Sequence, residues 1–228
     1  DAVVAELDAH YPGKIAGAAS DITSIDGLSG LWQTAMDRFG RVDIWINNAG
    51  MSIERKPLHE ASPADIMQIV LTNLGGVLLA SHLVIGKMQQ QGGGQIWNME
   101  GFGSGGQAQP GMVSYGATKR AVNYVNKALQ KEVSGGPVQV CTLSPGIVVT
   151  DLLVGDYDPD SEAWIKAKKI FNILGDTVET VTPYLADGVL ATDKSGAKVA
   201  WLTTGKAFAR FMTAGFKKRD LFAALPSS

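Results

Sequence analysis

Apolar positions along the chain fall into two alternating spacings. Val3, Val4 and Leu7 share one face of a helix predicted over residues 1–10. After the breaker Pro12-Gly13, residues 14–20 (KIAGAAS) read as a short strand ending at Asp21. Leu28, Leu31, Trp32, Ala35, Met36 and Phe39 recur at helical spacing, and Gly40 stops that helix. Residues 42–46 (VDIWI) form an apolar strand running into Asn47-Asn48-Ala49-Gly50. Ser62-Pro63-Ala64-Asp65 carries a cap, a first-turn proline and an acid, and opens a helix predicted to about Gln91. Gly92-Gly93-Gly94 ends it, and a strand follows at 95–99 (QIWNM). A glycine-rich loop over 101–111 leads into a helix over about 113–133. Residues 138–143 (VQVCTL) are a strand closed by Ser144-Pro145-Gly146. Residues 151–193 are a polar, then helical, excursion, and 198–202 (KVAWL) a last strand.

Strands alternating with helices of this length predict βαβ units, a parallel sheet and an α/β domain over residues 1–228. In such sheets ligands sit beyond the carboxyl ends of the strands. Those ends are Ser20-Asp21, Asn47 to Gly50, Asn98 to Gly106 and Ser144 to Gly146, all small or polar. Glycine, at 27 of 228 residues, clusters between the predicted elements, where a backbone can approach a ligand closely.

Composition narrows the partners. A net charge of −2 with both signs interspersed offers no basic stripe for nucleic acid. The single Cys141 excludes an internal disulfide framework. His10, His59, His82 and Cys141 show no metal-ligand spacing, so no metal is expected. The longest mostly apolar stretch, 77–85, is about half the ~20 residues a spanning helix needs, so no transmembrane segment is expected.

Tyr115 and Lys119, in YGATK, stand one turn apart on one face of the helix they open. An ammonium beside a phenol favours the phenolate and is expected to lower the Tyr115 pKa, which would suit proton exchange with a carbonyl or alcohol oxygen. On spacing alone, a surface contact is the favoured reading of the pair. NNAG lies 65 residues before Tyr115, and Pro145-Gly146 begins 26 after Lys119. With that ordered set, from Asp21 to about Leu202, the chain resembles the short-chain dehydrogenase/reductase family.

The resemblance implies a Rossmann-like, doubly wound parallel sheet with helices on both faces, and an oxidoreductase that reduces a carbonyl with NAD(P)H. It implies Tyr115 as general acid/base, Lys119 as the cation that lowers its pKa and holds the cofactor ribose, and Asn73 as the residue that holds a water of the proton relay. It places Asp21 and Ile22 at the adenine, and Asn48, Ala49 and Gly50 along the adenosine side. Pro145, Gly146, Ile147, Val148 and Thr150 fall at the nicotinamide end. It also implies a homodimer or homotetramer formed through the two long helices.

Two departures stand out. The family's substrate-binding serine, about 13 residues before the tyrosine, is Phe102 here; Ser104 is the substitute, with Ser114 beside Tyr115 the other near hydroxyl. The string NMEGFGSGG, with SPGIVVTDLL, IFNILGDTVETVTPYL and SGAKVAWLT, is similar to the chlorophyll b reductase branch of the family. That similarity implies a bulky apolar carbonyl substrate, with reduction of the formyl group of chlorophyll b by NADPH as the specific case. The surroundings would be a plastid stroma or thylakoid surface for a plant or algal protein and the cytoplasm for a bacterial one. A sensor that binds dinucleotide without catalysis is the rival reading. The second departure is the glycine-rich phosphate loop of the first βα unit, which has no counterpart; the expectation is a chain truncated at its N-terminus, with the first two strands absent. With that segment goes the signal that separates NAD from NADP.

Residues 151–193 are expected to cover the substrate, with Trp97, Met99, Phe102, Leu152, Leu153, Ile170 and Phe171 as an apolar wall. The run KAFARFMTAGFKKRDLF mixes Phe208, Phe211, Met212 and Phe216 with Lys206, Arg210, Lys217, Lys218 and Arg219. It suits either a helix packed on the body or a partner subunit, or peripheral contact with an anionic membrane.

Overall fold

A computed structural model describes residues 2–155, 157–216 and 218–223. The elements run α1 (Ala2–His10), α2 (Ile25–Phe39), β1 (Ile44–Asn47), α3 (Pro63–Val70), a π-helical turn (Leu71–Gly75), α4 (Gly76–Gln90), β2 (Gly94–Met99) and α5 (Val113–Glu132). They continue with β3 (Val138–Ser144), α6 (Asp151–Val154), α7 (Glu162–Leu174), α8 (Val178–Leu190), β4 (Lys198–Ala200) and α9 (Thr204–Thr213).

All strand pairs are parallel, in the order β1-β2-β3-β4. Neighbouring residues on one strand serve opposite faces, as the pleat requires. Ile96 and Val140 join Trp32, Val84, Met88 and Val133 in one core. Trp97 and Cys141 join Leu143, Val181, Leu185 and Val189 in the other. Both faces are therefore covered, and the strands read as continuous apolar runs for that reason. The α/β class, the parallel sheet and the helices on both sides are as the pattern predicted.

The strand expected over residues 14–20 does not form. A strand needs a neighbour for its backbone N–H and C=O groups, and this segment, largely exposed, pairs with no edge. Its end is used differently. The Asp21 carboxylate accepts hydrogen bonds from Thr23 N (2.8 Å) and Thr23 Oγ1 (2.7 Å), a local turn leading into α2, capped by Ser24. Those bonds hold Asp21 below the usual carboxylate range.

The helix expected over residues 62–91 forms, interrupted by the π turn. From Pro63 to Gln90 it is long and apolar enough to cross a membrane by length and composition, which the run 77–85 alone had not suggested. Ile69, Val77, Ala80, Val84 and Met88 are nevertheless buried within the domain.

Candidate active site

The carboxyl ends of β1, β2 and β3 share one edge, since Asn47 registers with Asn98 and Met99 with Leu143. Behind that edge runs a chain of amides. Trp45 Nε1 donates to Asn47 Oδ1 (2.8 Å), Asn47 Nδ2 to Asn98 Oδ1 (2.7 Å), Asn98 Nδ2 to Asn126 Oδ1 (2.6 Å) and Asn126 Nδ2 to Thr142 Oγ1 (3.2 Å). Asn98, Asn126 and Thr142 are buried, and the chain joins β1, β2 and β3 to α5, the helix carrying Tyr115. The sequence reading placed Asn98 at a ligand-side strand end and gave Asn126 and Thr142, in a helix interior and an apolar run, no role.

Tyr115 and Lys119 converge on Gly101. A Cβ at Gly101 would lie 2.5 Å from the Tyr115 hydroxyl oxygen and 3.2 Å from Lys119 Cε. Any larger residue there would push the Tyr115 and Lys119 tips aside. Gly103, at φ +94, brings its backbone against Gly116 in the first turn of α5, where a Cβ would meet Gly116 Cα at 2.6 Å. Two glycines thus press the loop after β2 onto the start of α5.

Lys119 is buried, its Nζ donating to Met99 O (3.2 Å) and standing 5.8 Å from the centroid of the Tyr115 ring. Burial holds its pKa below that of an ordinary lysine. The effect on Tyr115 corrects the expectation. Burial raises the phenol, and the cation opposing that rise is Arg55, not Lys119. Lys119 directs its ammonium to a backbone carbonyl, and desolvation of the phenolate outweighs charge attraction.

Asn73 sits in the π turn and is buried. The extra residue of such a turn re-aims a side chain that a regular helix would place elsewhere. Its Oδ1 accepts from Met51 N (2.8 Å), and its Nδ2 donates to Met51 O (2.9 Å) and Thr118 Oγ1 (3.4 Å). Asn73 thereby holds the chain leaving β1, and Gly50 packs against it, a Cβ there lying 3.3 Å from Asn73 Oδ1. Asn48 N bonds Ile46 O (3.1 Å), turning the chain sharply at the strand end with Ala49 following. Ile22 packs on Gly76 at the start of α4.

Ser104 is placed otherwise than expected. Its hydroxyl is buried, accepts from Gly101 N (3.1 Å) and donates to Lys119 O (3.2 Å). Both functions of the hydroxyl are spent on holding the loop against α5. Ser104→Ala is expected to lower stability by about 1–3 kcal/mol in denaturant titration, the range for a polar group left unpaired, here the Gly101 N–H. Ser114 is buried as well, and Phe102 is partly exposed.

After β3, Gly146 at φ +76 makes the turn that Pro145 begins, and a Cβ there would lie 2.5 Å from Leu202 Cβ. Ile147 O accepts from Asp176 N (3.0 Å) and Val149 N donates to Asp176 O (3.0 Å), with Val148 bridging to Asp176. Thr150 begins α6. Asp176 is the residue the sequence reading missed. Its buried carboxylate takes Trp201 Nε1 (2.5 Å), Arg210 Nη1 (2.7 Å) and Arg219 Nη2 (2.6 Å). Burial raises its pKa, but these bonds outweigh that and hold it below the ordinary value. Arg210 and Arg219, read as part of a basic surface, point inward to this carboxylate. Phe208, Phe211, Met212 and Phe216 stay exposed, and Lys217 lies outside the described residues.

The apolar wall is also revised. Trp97 is fully buried on the α8 side, and Phe171 packs with Tyr157, Trp164 and Phe222. Leu152 and Ile170 are exposed.

A family model described as short chain dehydrogenase matches residues 1–159. The chain belongs to the short-chain dehydrogenase family. It is 36% identical over 210 residues to "Probable chlorophyll(ide) b reductase NYC1, chloroplastic" of Oryza sativa subsp. japonica, covering 92% of this chain and 40% of that protein. It is 34% identical over 223 residues to "Chlorophyll(ide) b reductase NOL, chloroplastic" of Arabidopsis thaliana, covering 93% and 62%. The chain thus spans 40% to 62% of the length of these two short-chain dehydrogenase relatives. A "3-oxoacyl-[acyl-carrier-protein] reductase" of Synechocystis sp. is 32% identical over 152 residues, covering 67% of this chain and 60% of the relative. The fold matches "The Closed form of serine dehydrogenase complexed with NADP+" at a TM-score of 0.72 and 22% identity, covering 85% of this chain and 79% of that one.

Proposed function

We propose that this chain is the catalytic domain of an NAD(P)H-dependent reductase of a bulky apolar carbonyl, with the formyl group of chlorophyll b as its substrate. The observation that carries the reading is the convergence of Tyr115 and Lys119 on Gly101 at the carboxyl edge of the sheet. The similarity to chlorophyll(ide) b reductases over more than nine-tenths of the chain supports the pigment.

The surroundings suit a nicotinamide dinucleotide. Glycine at positions 50, 101 and 146 puts no side chain at these strand ends, and the buried Lys119 ammonium spends one N–H on Met99 O, leaving others for ribose hydroxyls. Asn48, Ala49, Gly50 and Lys119 would hold the nucleoside portion, and Pro145 to Val148 with Thr150 the nicotinamide end; Asp21 and Ile22 would border the adenine. When bound, the reduced nicotinamide supplies the hydride. Tyr115 then gives its proton to the carbonyl oxygen as the carbon is reduced, C=O becoming CH–OH, and is reprotonated from solvent. Asn73 keeps the chain after NNAG in place through Met51 and closes one side of the relay. Residues 151–193 cover the substrate.

Because burial keeps Tyr115 above the usual tyrosine value, the hydroxyl stays protonated through neutral pH, the form that donates. Carbonyl reduction is therefore expected to be level across neutral pH and to fall only in alkali, as the proton is lost. The decisive assay incubates the protein with chlorophyll b and NADPH or NADH, following cofactor oxidation and the hydroxymethyl pigment. Cofactor oxidation with other aldehydes but not this one keeps the reductase and removes the pigment.

The engagement of Ser104 by backbone groups favours one second reading, a dinucleotide-binding sensor without catalysis. Cofactor binding with no oxidation on any aldehyde or ketone would select it. The chloroplastic relatives support a plastid setting for a plant or algal protein. Exposed Leu71 and Leu78 on the π turn and α4, with Tyr124 on α5, support assembly into a dimer or tetramer through the long helices.

A further inference from the structure

We infer that Arg55 supplies the hydrogen-bond donors to the substrate's carbonyl oxygen, the task that a serine performs elsewhere in the family and that neither Phe102 nor Ser104 is placed to perform here. The inference rests on the reductase reading above. It begins from an unusual accounting. Guanidinium groups are costly to bury, and every N–H left unpaired adds to the cost. Yet Nε and Nη1 of Arg55 are buried and take no hydrogen bond among the described residues, while Nη2 donates to Leu153 O (3.2 Å).

The position of this group is defined from three sides. Its guanidinium carbon lies 4.3 Å over the Tyr157 ring, and Leu153 and Tyr157 both belong to the covering segment. Its backbone abuts Gly111, where a Cβ would approach Arg55 C at 3.2 Å and Arg55 Cβ at 3.3 Å. Gly111, at φ +77, ends the loop that feeds Tyr115 into α5. Glu54 and Lys56, its immediate neighbours, line one pocket with Ser52, Ser114 and Tyr115. Arg55 thus ties the segment proposed to cover the substrate, through Leu153 and Tyr157, to the loop that leads into α5, through Gly111, and its positive charge opposes the rise of the Tyr115 pKa.

Two enclosed N–H groups with no partner among the described residues are suited to the negative charge that grows on a carbonyl oxygen as hydride arrives, once the covering segment admits it. The cation would strengthen as the charge develops, whereas a serine offers one neutral donor. The Tyr157 ring and Leu153 carbonyl fix the fork, so little order is lost when substrate enters.

The test compares wild type with Arg55→Gln, Arg55→Lys and Arg55→Ala, each on the aldehyde that the wild type reduces. Arg55→Gln is expected to lower kcat by ~10²–10³, the usual loss for one such donor, with KM changing far less. Arg55→Lys keeps the charge without the fork and should retain part of the rate. Millimolar guanidinium should restore turnover to Arg55→Ala and leave wild type unaffected. With the cation gone, the alkaline fall in rate should move to higher pH, since nothing then opposes the rise of the Tyr115 pKa. Retained NAD(P)H fluorescence enhancement and an unchanged melting temperature separate these effects from misfolding; Arg55→Gln and Arg55→Lys serve if the alanine variant does not fold. Turnover in Arg55→Gln within threefold of wild type, or no rescue by guanidinium, overturns the inference and leaves the reductase standing. No turnover by wild type on any aldehyde overturns the reductase reading and this inference together.

Discussion

Tyr115→Phe removes one oxygen atom and is expected to lower carbonyl reduction by ~10²–10⁴, the contribution of a positioned general acid. The ring keeps its place because the phenol is held by its surroundings: Gly101 packs against its tip and Gly103 holds the adjoining loop to Gly116. Among the described residues the hydroxyl makes no hydrogen bond on which another element depends, so its removal leaves the packing in place. The melting temperature should stay within a few degrees, and binding of NAD(P)H should persist because Lys119, Gly50 and Gly146 are untouched. Stopped-flow measurement of cofactor oxidation under saturating aldehyde reads the chemical step directly. Equal rates for Tyr115→Phe and wild type would place the proton donor elsewhere and end the mechanism proposed here.

The largest effect on stability is expected at Asn98. Asn98→Ala removes the middle of the amide chain, leaving the half-buried Asn47 Nδ2 and the buried Asn126 Oδ1 without their partners. Each orphaned buried group costs about 1–3 kcal/mol. With the cavity added, a loss of about 3 kcal/mol or more is expected, lowering the melting temperature by roughly 6–12 °C for a chain of this size. The damage should also reach activity, since Asn126 lies on the helix that carries Tyr115 and the chain fixes that helix to β2 and β3. A loss below about 0.5 kcal/mol in chemical denaturation would show that the amides act independently.

These two positions illustrate different degrees of legibility. Tyr115 and Lys119 declare themselves because their spacing is a local property of a helix and their neighbours, NNAG and Pro145-Gly146, sit at strand ends that hydrophobic periodicity already marks. The glycines do likewise: Gly40, Gly103 and Gly146 occupy turns with positive φ, where sequence and backbone agree. Asn98 and Asn126 give no signal of their partners, although Asn98 stands at a marked strand end. One lies in a strand and the other in the middle of a helix, and only the packing of α5 on the sheet turns them into a line of bonds. Asp176 is similar, since its three partners, Trp201, Arg210 and Arg219, come from later in the chain and meet it only through the return of α9 to the end of α7.

The pattern of apolar and polar residues by itself determined the α/β class, the four parallel strands found here, the long helices and the pairing of Tyr115 with Lys119, because each depends on contacts within one turn or on the alternation along one strand. The tertiary structure decided what that pattern left open: that residues 14–20 pair with no edge, that the Ser104 hydroxyl is consumed by the backbone, that Arg210 and Arg219 turn inward, and that burial and Arg55, not Lys119, set the proton affinity of Tyr115. Desolvation and hydrogen-bond completion depend on every neighbour in space, and spacing along a chain carries no record of them.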